Sequence, residues 1–242
     1  MIAEVVGGLL TGSLALLADA GHMFSDVAAL GLSVFALRMA QRPATPRHTY
    51  GFYRTEILAA LANGATLVAI AILILVEAWE RFWSPPAVQG SLMMAIAAGG
   101  LVVNLVSLVI LHKGTEESLN VRGAYLHVLT DALGSIGVLV AGVAILLFRW
   151  YWADPAISVL ISVLVVFSAW ELIRQAVAVL MEGTPHGIDV DEVNEAILGI
   201  PGVLAVHDLH VWSITSGIDA LSAHVVVDCE ADQYAVLGQV RR

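Results

Sequence analysis

The sequence predicts an α-helical membrane bundle of six transmembrane helices, the first of them truncated, followed by a small α+β domain that is also truncated. Three observations predict it. The chain is 59% hydrophobic and 13% charged, with a mean hydropathy of +0.85, whereas soluble domains run nearer half apolar and a quarter charged. Five long apolar runs follow a shorter first one, and a span of about 20 apolar residues crosses the ~30 Å hydrocarbon core. Near Gly187 the pattern changes to short amphipathic and alternating segments.

Residues 1–17 form the first run, apolar except for Glu4 and small polar residues, and barely long enough to span. Asp19, Ala20 and Gly21 read as a tight connection, and a second helix runs from about His22 to Ala40. Residues 41–52, with Pro43 and Pro46, form a loop. The third helix covers about Arg54–Ala78, with no charge from Ile57 to Val76. Trp79, Phe82 and Trp83 suit an interfacial belt, before a Pro85-Pro86 turn. The fourth helix takes Ser91–Leu111, and Lys113–Asn120 is a polar loop. The fifth takes Val121–Phe148, interrupted by His127 and Asp131. After a turn at Arg149–Trp152, Asp154-Pro155 opens the sixth helix, which ends near Arg174–Ala178. Small residues (Gly64, Gly99, Gly100, Gly134, Gly137, Gly142) permit close helix contact; those at 134 and 137 lie one and two turns past Asp131.

The organisation expected is a transmembrane domain at 1–180, a linker at 181–188 and an incomplete domain at 189–242. In the last, Asp189–Leu198 reads as a helix ended by Gly199 and Pro201. Val203–Ile214 reads as a strand, Thr215-Ser216-Gly217 as a turn, and Asp219–Asp228 as a second strand. Another helix starts near Asp232. This order leaves a sheet edge open, a liability that a further strand would remove.

Charge sets the orientation. Arg38, Arg42, Arg47, Arg54, Lys113, Arg122 and Arg174 fall on one side of six alternating helices, and only Arg81 and Arg149 on the other. The richer side is cytoplasmic by the positive-inside rule, and the C-terminal domain with it. From Glu182 onward there are ten acids against Arg241 and Arg242. Such a surface repels nucleic acid and is compatible with collecting cations.

Chemistry concentrates at two repeats of one spacing. His22 and Asp26, then His127 and Asp131, stand four apart inside apolar runs, so each pair shares one helix face. Two such helices side by side offer two nitrogens and two oxygens, a set that suits tetrahedral zinc. Ionisable groups in mid-membrane mark functional sites. Asn63 and Asn104 read as packing groups or as supports behind the ligands rather than as ligands, and Glu4 as lining either a watery path or an interface. His48 is a surface histidine or a peripheral ligand. His207 and His224 face each other across the hairpin, either as a regulatory metal site or as ordinary sheet histidines. His207 and His210, three apart, would face opposite ways on a regular strand. His112 and His186 are solvent-facing, and Cys229 is inert. One cysteine excludes a disulfide within the chain and a cysteine zinc cluster. The sequence has no P-loop, no Gly-x-Ser-x-Gly and no His-Glu-x-x-His. A membrane receptor that senses metal without transport and an intramembrane metalloenzyme are the alternatives. The latter needs an open metal position and a general base, or more histidines than this bundle holds.

Several stretches together resemble the cation diffusion facilitator family, its bacterial zinc, cadmium and cobalt efflux branch in particular. They are Ser13-Leu14-Ala15-Leu16-Leu17-Ala18-Asp19-Ala20-Gly21-His22 through Asp26, Thr49-Tyr50-Gly51-Phe52-Tyr53-Arg54-Thr55-Glu56-Ile57-Leu58, His127 to Asp131, Asp154-Pro155, and His207-Asp208-Leu209-His210-Val211-Trp212. The resemblance implies six transmembrane helices in the inner membrane, a ferredoxin-like cytoplasmic domain, a homodimer and metal/proton antiport. It implies a transport site at His22, Asp26, His127 and Asp131, with zinc as substrate and regulatory ligand and no cofactor. It also implies about ten further residues before the first helix and a closing strand after the last.

Overall fold

The computed structural model describes residues 1–112 and 119–240, with side chains at 1–112 and 125–240. Lys113, Arg122, Arg241 and Arg242, used above in the charge argument, fall outside the described side chains. The elements in order are α1 (Ile2–Thr11), α2 (Leu14–Ala40), α3 (Thr55–Trp83), α4 (Gly90–His112), α5 (Leu119–Phe148), α6 (Ala153–Leu180), α7 (Val190–Leu198), β1 (Val203–Thr215), β2 (Ile218–Val227) and α8 (Gln233–Val240). Five of them, α2 to α6, are long and apolar enough to cross a membrane. The chain forms two compact units, residues 1–31 with 62–171, and residues 32–61 with 172–242.

The first unit packs on small side chains. Ala15, Ala18, Ala71, Ala97, Ala141 and Ala169 are buried among Leu16, Met93, Val138 and Ile161. Membrane helices gain nothing by hiding apolar surface from lipid, so close backbone approach holds them instead. Gly137 of α5 faces Ile157 of α6, and Gly142 faces Met94 of α4. Large apolar side chains such as Leu73, Val109 and Phe167 remain exposed, as a lipid-facing surface requires.

One boundary differs from the sequence expectation. The chain does not turn at Asp19–Gly21; those residues are helical. It turns at Gly12–Ser13. Gly12 ends α1 with φ of 72°, a left-handed value that glycine adopts without strain. Ser13 then starts α2 by accepting from Leu16 N–H at 3.2 Å. A distant residue completes the cap. Asp154 of α6, wholly buried, accepts from Ser13 Oγ–H, from Leu14 N–H at 2.7 Å and from Ala15 N–H at 3.2 Å. A carboxylate is favoured at the positive end of a helix dipole. Arg81 of α3 stands 3.9 Å from Asp154 and donates to the Gly12 carbonyl and to Glu77. Asp154 thus closes the start of α2 as well as opening α6.

The aromatic residues Trp79, Phe82 and Trp83 lie in the last turn and a half of α3, which runs on past Ala78, and all three are exposed. In the second unit, Arg54 and Glu182 form an ion pair at 2.9 Å, and Thr215 Oγ1–H donates to Glu56. β1 and β2 form an antiparallel hairpin through Ser216 and Gly217, the latter with φ of 73°. Asp189 caps α7 by accepting from Asp191 N–H. His186 and Cys229 are exposed, and His112 lies with its ring 6.0 Å from that of Tyr125.

Candidate metal centre

Because α2 begins at Leu14, His22 sits two turns inside it and Asp26 one turn further. The i, i+4 spacing puts both on the face toward α5, where His127 and Asp131 repeat the pattern. His22 Nε2 lies 3.5 Å from Asp131 and 3.9 Å from Asp26. His127 Nε2 lies 3.3 Å from Asp26 and 3.7 Å from Asp131. Each imidazole therefore faces the carboxylate of its own helix and that of the other. One ligand atom from each residue falls within 4.8 Å of all the others. Zinc held tetrahedrally at about 2.0–2.1 Å needs its ligands about 3.3 Å apart, so small side-chain movements close this group on an ion. The Oδ1 of Asp131 is buried and has no hydrogen-bond partner. A buried carboxylate oxygen without a donor is costly, and a divalent cation at the centre would satisfy it. The donor set therefore fits such an ion. His127 is the most exposed member and Asp131 the least, at 45% and 12% of their side chains.

The flanking polar groups divide into satisfied and unsatisfied. Ser25 Oγ–H, next to Asp26, donates to Asn63 of α3 at 3.0 Å and both are buried, so Asn63 is satisfied without an ion. Asn104 lines a cavity with Glu4, Met23 and Gly100. Glu4 is buried in α1. Asp19, expected in a turn, is instead a buried helical carboxylate. Asp19, His22, Thr130, Asp131 and Gly134 are among the residues that line a cavity of about 190 Å³. The sequence held a signal for this, since Asp19 precedes His22 by three and so shares its face.

The other candidate ligands are not gathered in this way. Among the described residues the quartet is the group of three or more His, Cys, Asp or Glu side chains placed to share an ion, and His48, His207 and His224 belong to none. His48 is exposed in the loop after α2, its ring 4.8 Å from that of Phe52. His207 and His224 are opposed in the hairpin register, and His224 Nδ1 lies 3.2 Å from Asp208. The expectation that His207 and His210 face opposite ways is corrected. A bulge at Asp208, whose φ is 50°, lets His207 pair with His224 and His210 with Ser222. His224 and Ser222 are two apart on β2 and share a face. The extra residue on β1 therefore returns His210 to the face of His207, and all four are exposed.

Helices of membrane length that bring two imidazoles and two carboxylates to one point describe an integral membrane protein with a candidate site for a divalent cation. Comparison with known proteins makes the class specific. The cation efflux transmembrane domain matches residues 1–181, and the cytoplasmic domain of cation efflux proteins matches residues 185–242. The chain belongs to the cation efflux family, whose members are transporters and not enzymes. It is 48% identical over 230 residues to the cadmium, cobalt and zinc/H(+)-K(+) antiporter of Bacillus subtilis, covering 94% of this chain and 74% of that protein. It is 47% identical over 228 residues to the metal cation efflux system protein CzcD of Cupriavidus metallidurans, with 94% and 72% covered. It is 47% identical over 243 residues to the zinc transporter ZitB of Escherichia coli, with 100% and 77% covered.

Proposed function

We propose that this protein exports zinc, with cadmium and cobalt as further substrates, from the cytoplasm in exchange for protons. His22, Asp26, His127 and Asp131 hold the ion in transit. The observation that carries this reading is the meeting of four ligand atoms, from two distant stretches of chain, within 4.8 Å. The relatives named for zinc, cadmium, cobalt and protons support it.

The chemistry of exchange follows from the ligand types. Zinc takes the neutral imidazole and the ionised carboxylate, so its arrival displaces protons and their return ejects it. Histidine exchanges its proton near physiological pH, which makes that competition reversible. The bundle alternates between inward-open and outward-open forms around a fixed midplane site, and the inward proton gradient drives zinc out. The protein sits in the inner membrane as a homodimer with residues 189–242 in the cytoplasm, after a transmembrane domain at 1–180 and a linker at 181–188. There, zinc at His207 and His224 tightens the dimer by neutralising like charge; dimer affinity that is indifferent to chelator overturns this part.

The test is zinc uptake by sealed proteoliposomes under an imposed pH gradient. Wild type moves zinc and counter-moves protons. Asp131→Ala lowers both by about two orders of magnitude or more, as expected when one of four ligands is lost. Undiminished flux in that variant removes the quartet from the mechanism. Zinc binding without flux in the wild type rejects transport altogether.

A further inference from the structure

His22 reaches the quartet through one ring nitrogen only. Its Nε2 faces Asp131 and Asp26, while its Nδ1 is buried and has no hydrogen-bond partner. A neutral imidazole that ligates through Nε2 carries its proton on Nδ1. Cation binding therefore turns Nδ1 into a buried donor. Leaving such a donor unpaired costs on the order of 1–3 kcal/mol.

An acceptor stands one turn earlier on the same helix face. Asp19 is 5% exposed, and no hydrogen bond reaches its carboxylate among the described residues. Asp19 and His22 line the same cavity. The helix opposite leaves room for the carboxylate there: a Cβ on Gly134 of α5 would stand 3.2 Å from Asp19 Oδ1. A carboxylate without a donor and an imidazole nitrogen without an acceptor thus stand three residues apart in one apolar-walled space. Brought into contact, each would cancel the other's cost.

We propose that Asp19 is a positioning residue of the cation site, accepting the Nδ1–H of His22 and so fixing the tautomer and ring orientation that aim Nε2 at the ion. Histidine ligands in metal sites are commonly held this way, and loss of the partner typically weakens metal affinity 10–100-fold. The inference rests on the quartet reading and adds a residue outside it. It also accounts for a charge-bearing side chain buried in a membrane helix where no ligand role is available to it.

The experiment is titration of the purified full chain with Co²⁺, read through the visible absorption of the tetrahedral ion, followed by displacement with zinc. Asp19→Leu is expected to weaken both metals by about 10–100-fold. Asp19→Asn, which keeps an acceptor oxygen, is expected to lose less and to keep the wild-type band shape. Asp131→Ala separates the two readings. If it binds Co²⁺ as wild type does, the quartet reading fails. If it loses the band while both Asp19 variants match wild type, only the role of Asp19 fails. Should the Asp19 variants not fold, ¹⁵N-histidine spectra of the zinc-loaded wild type decide. A strongly hydrogen-bonded Nδ1–H on His22 supports the proposal, and a free one overturns it.

Discussion

Two polar knots lie in the same helical unit, and they are built on opposite principles. Around Asp154, the capped backbone groups, Ser13 and Arg81 bring donors to a wholly buried carboxylate. Around the metal centre, two carboxylates and two imidazoles face one another at 3.3–3.9 Å, and the buried Asp131 Oδ1 and His22 Nδ1 have no hydrogen-bond partner. The first is finished without any ligand; on the proposed reading the second is finished by a cation. A fully satisfied polar network specifies a packed structure, whereas a partly satisfied one in low dielectric stays costly until something completes it. The difference separates architecture from function within a few turns of the same helix, because α2 carries both.

The largest expected effect breaks the finished knot. Asp154→Ala strips the start of α2 of its acceptor and leaves the Arg81 side chain without its buried partner. Removing one member of a buried pair costs about 3–5 kcal/mol, so thermal unfolding in detergent should fall sharply and zinc flux should be lost with the fold. Asp154→Asn should retain part of the stability through its amide oxygen. The unfinished knot should answer differently. Asp131→Asn should reduce zinc affinity at least tenfold and leave apo stability level or slightly raised, since it removes a carboxylate whose buried Oδ1 has no hydrogen-bond partner. A large loss of apo stability in Asp131→Asn would erase the distinction between the two knots.

Much of this is legible in the sequence alone. Long uncharged runs leave a transmembrane helix little alternative, so α3 to α6 follow from residues 57–76, 91–111 and their successors. The quartet was readable because 3.6 residues per turn converts a spacing of four into a shared face. What escaped was tertiary. Asp19, Ala20 and Gly21 have turn chemistry, yet they are helical, because the chain breaks at Gly12 and the cap that starts α2 includes a residue 140 positions away. No local pattern announces such a partner. The bulge at Asp208 escaped for a related reason: strict alternation assumes a regular strand, and one aspartate in a left-handed conformation reverses the parity of everything after it.

A smaller effect sharpens the comparison through pH. Zinc binding at the quartet should weaken by about tenfold or more per pH unit below the imidazole range, since protons occupy the ligand nitrogens. Isothermal titration between pH 8 and pH 5 checks this, with His22→Asn and His127→Asn each flattening the dependence. A binding constant level across that range would argue that the imidazoles are not ligands.

The smallest effect lies between the two knots. Ser25 is adjacent to Asp26 yet belongs, by its hydrogen bond to Asn63, to the satisfied class. If pairing marks architecture, Ser25→Ala should cost stability and leave the ion untouched. Hydrogen bonds between membrane helices are worth about 0.6 kcal/mol on average and about 1.7 at most, so the unfolding midpoint should shift modestly. A double-mutant cycle with Asn63→Ala isolates the pair from the cost of an orphaned amide. Zinc affinity should stay within about twofold of wild type through the whole cycle, because neither side chain is a ligand. A tenfold change in affinity from Ser25→Ala alone would mean that the bond orients Asp26, and the boundary between scaffold and site would then run through residue 25 rather than beside it.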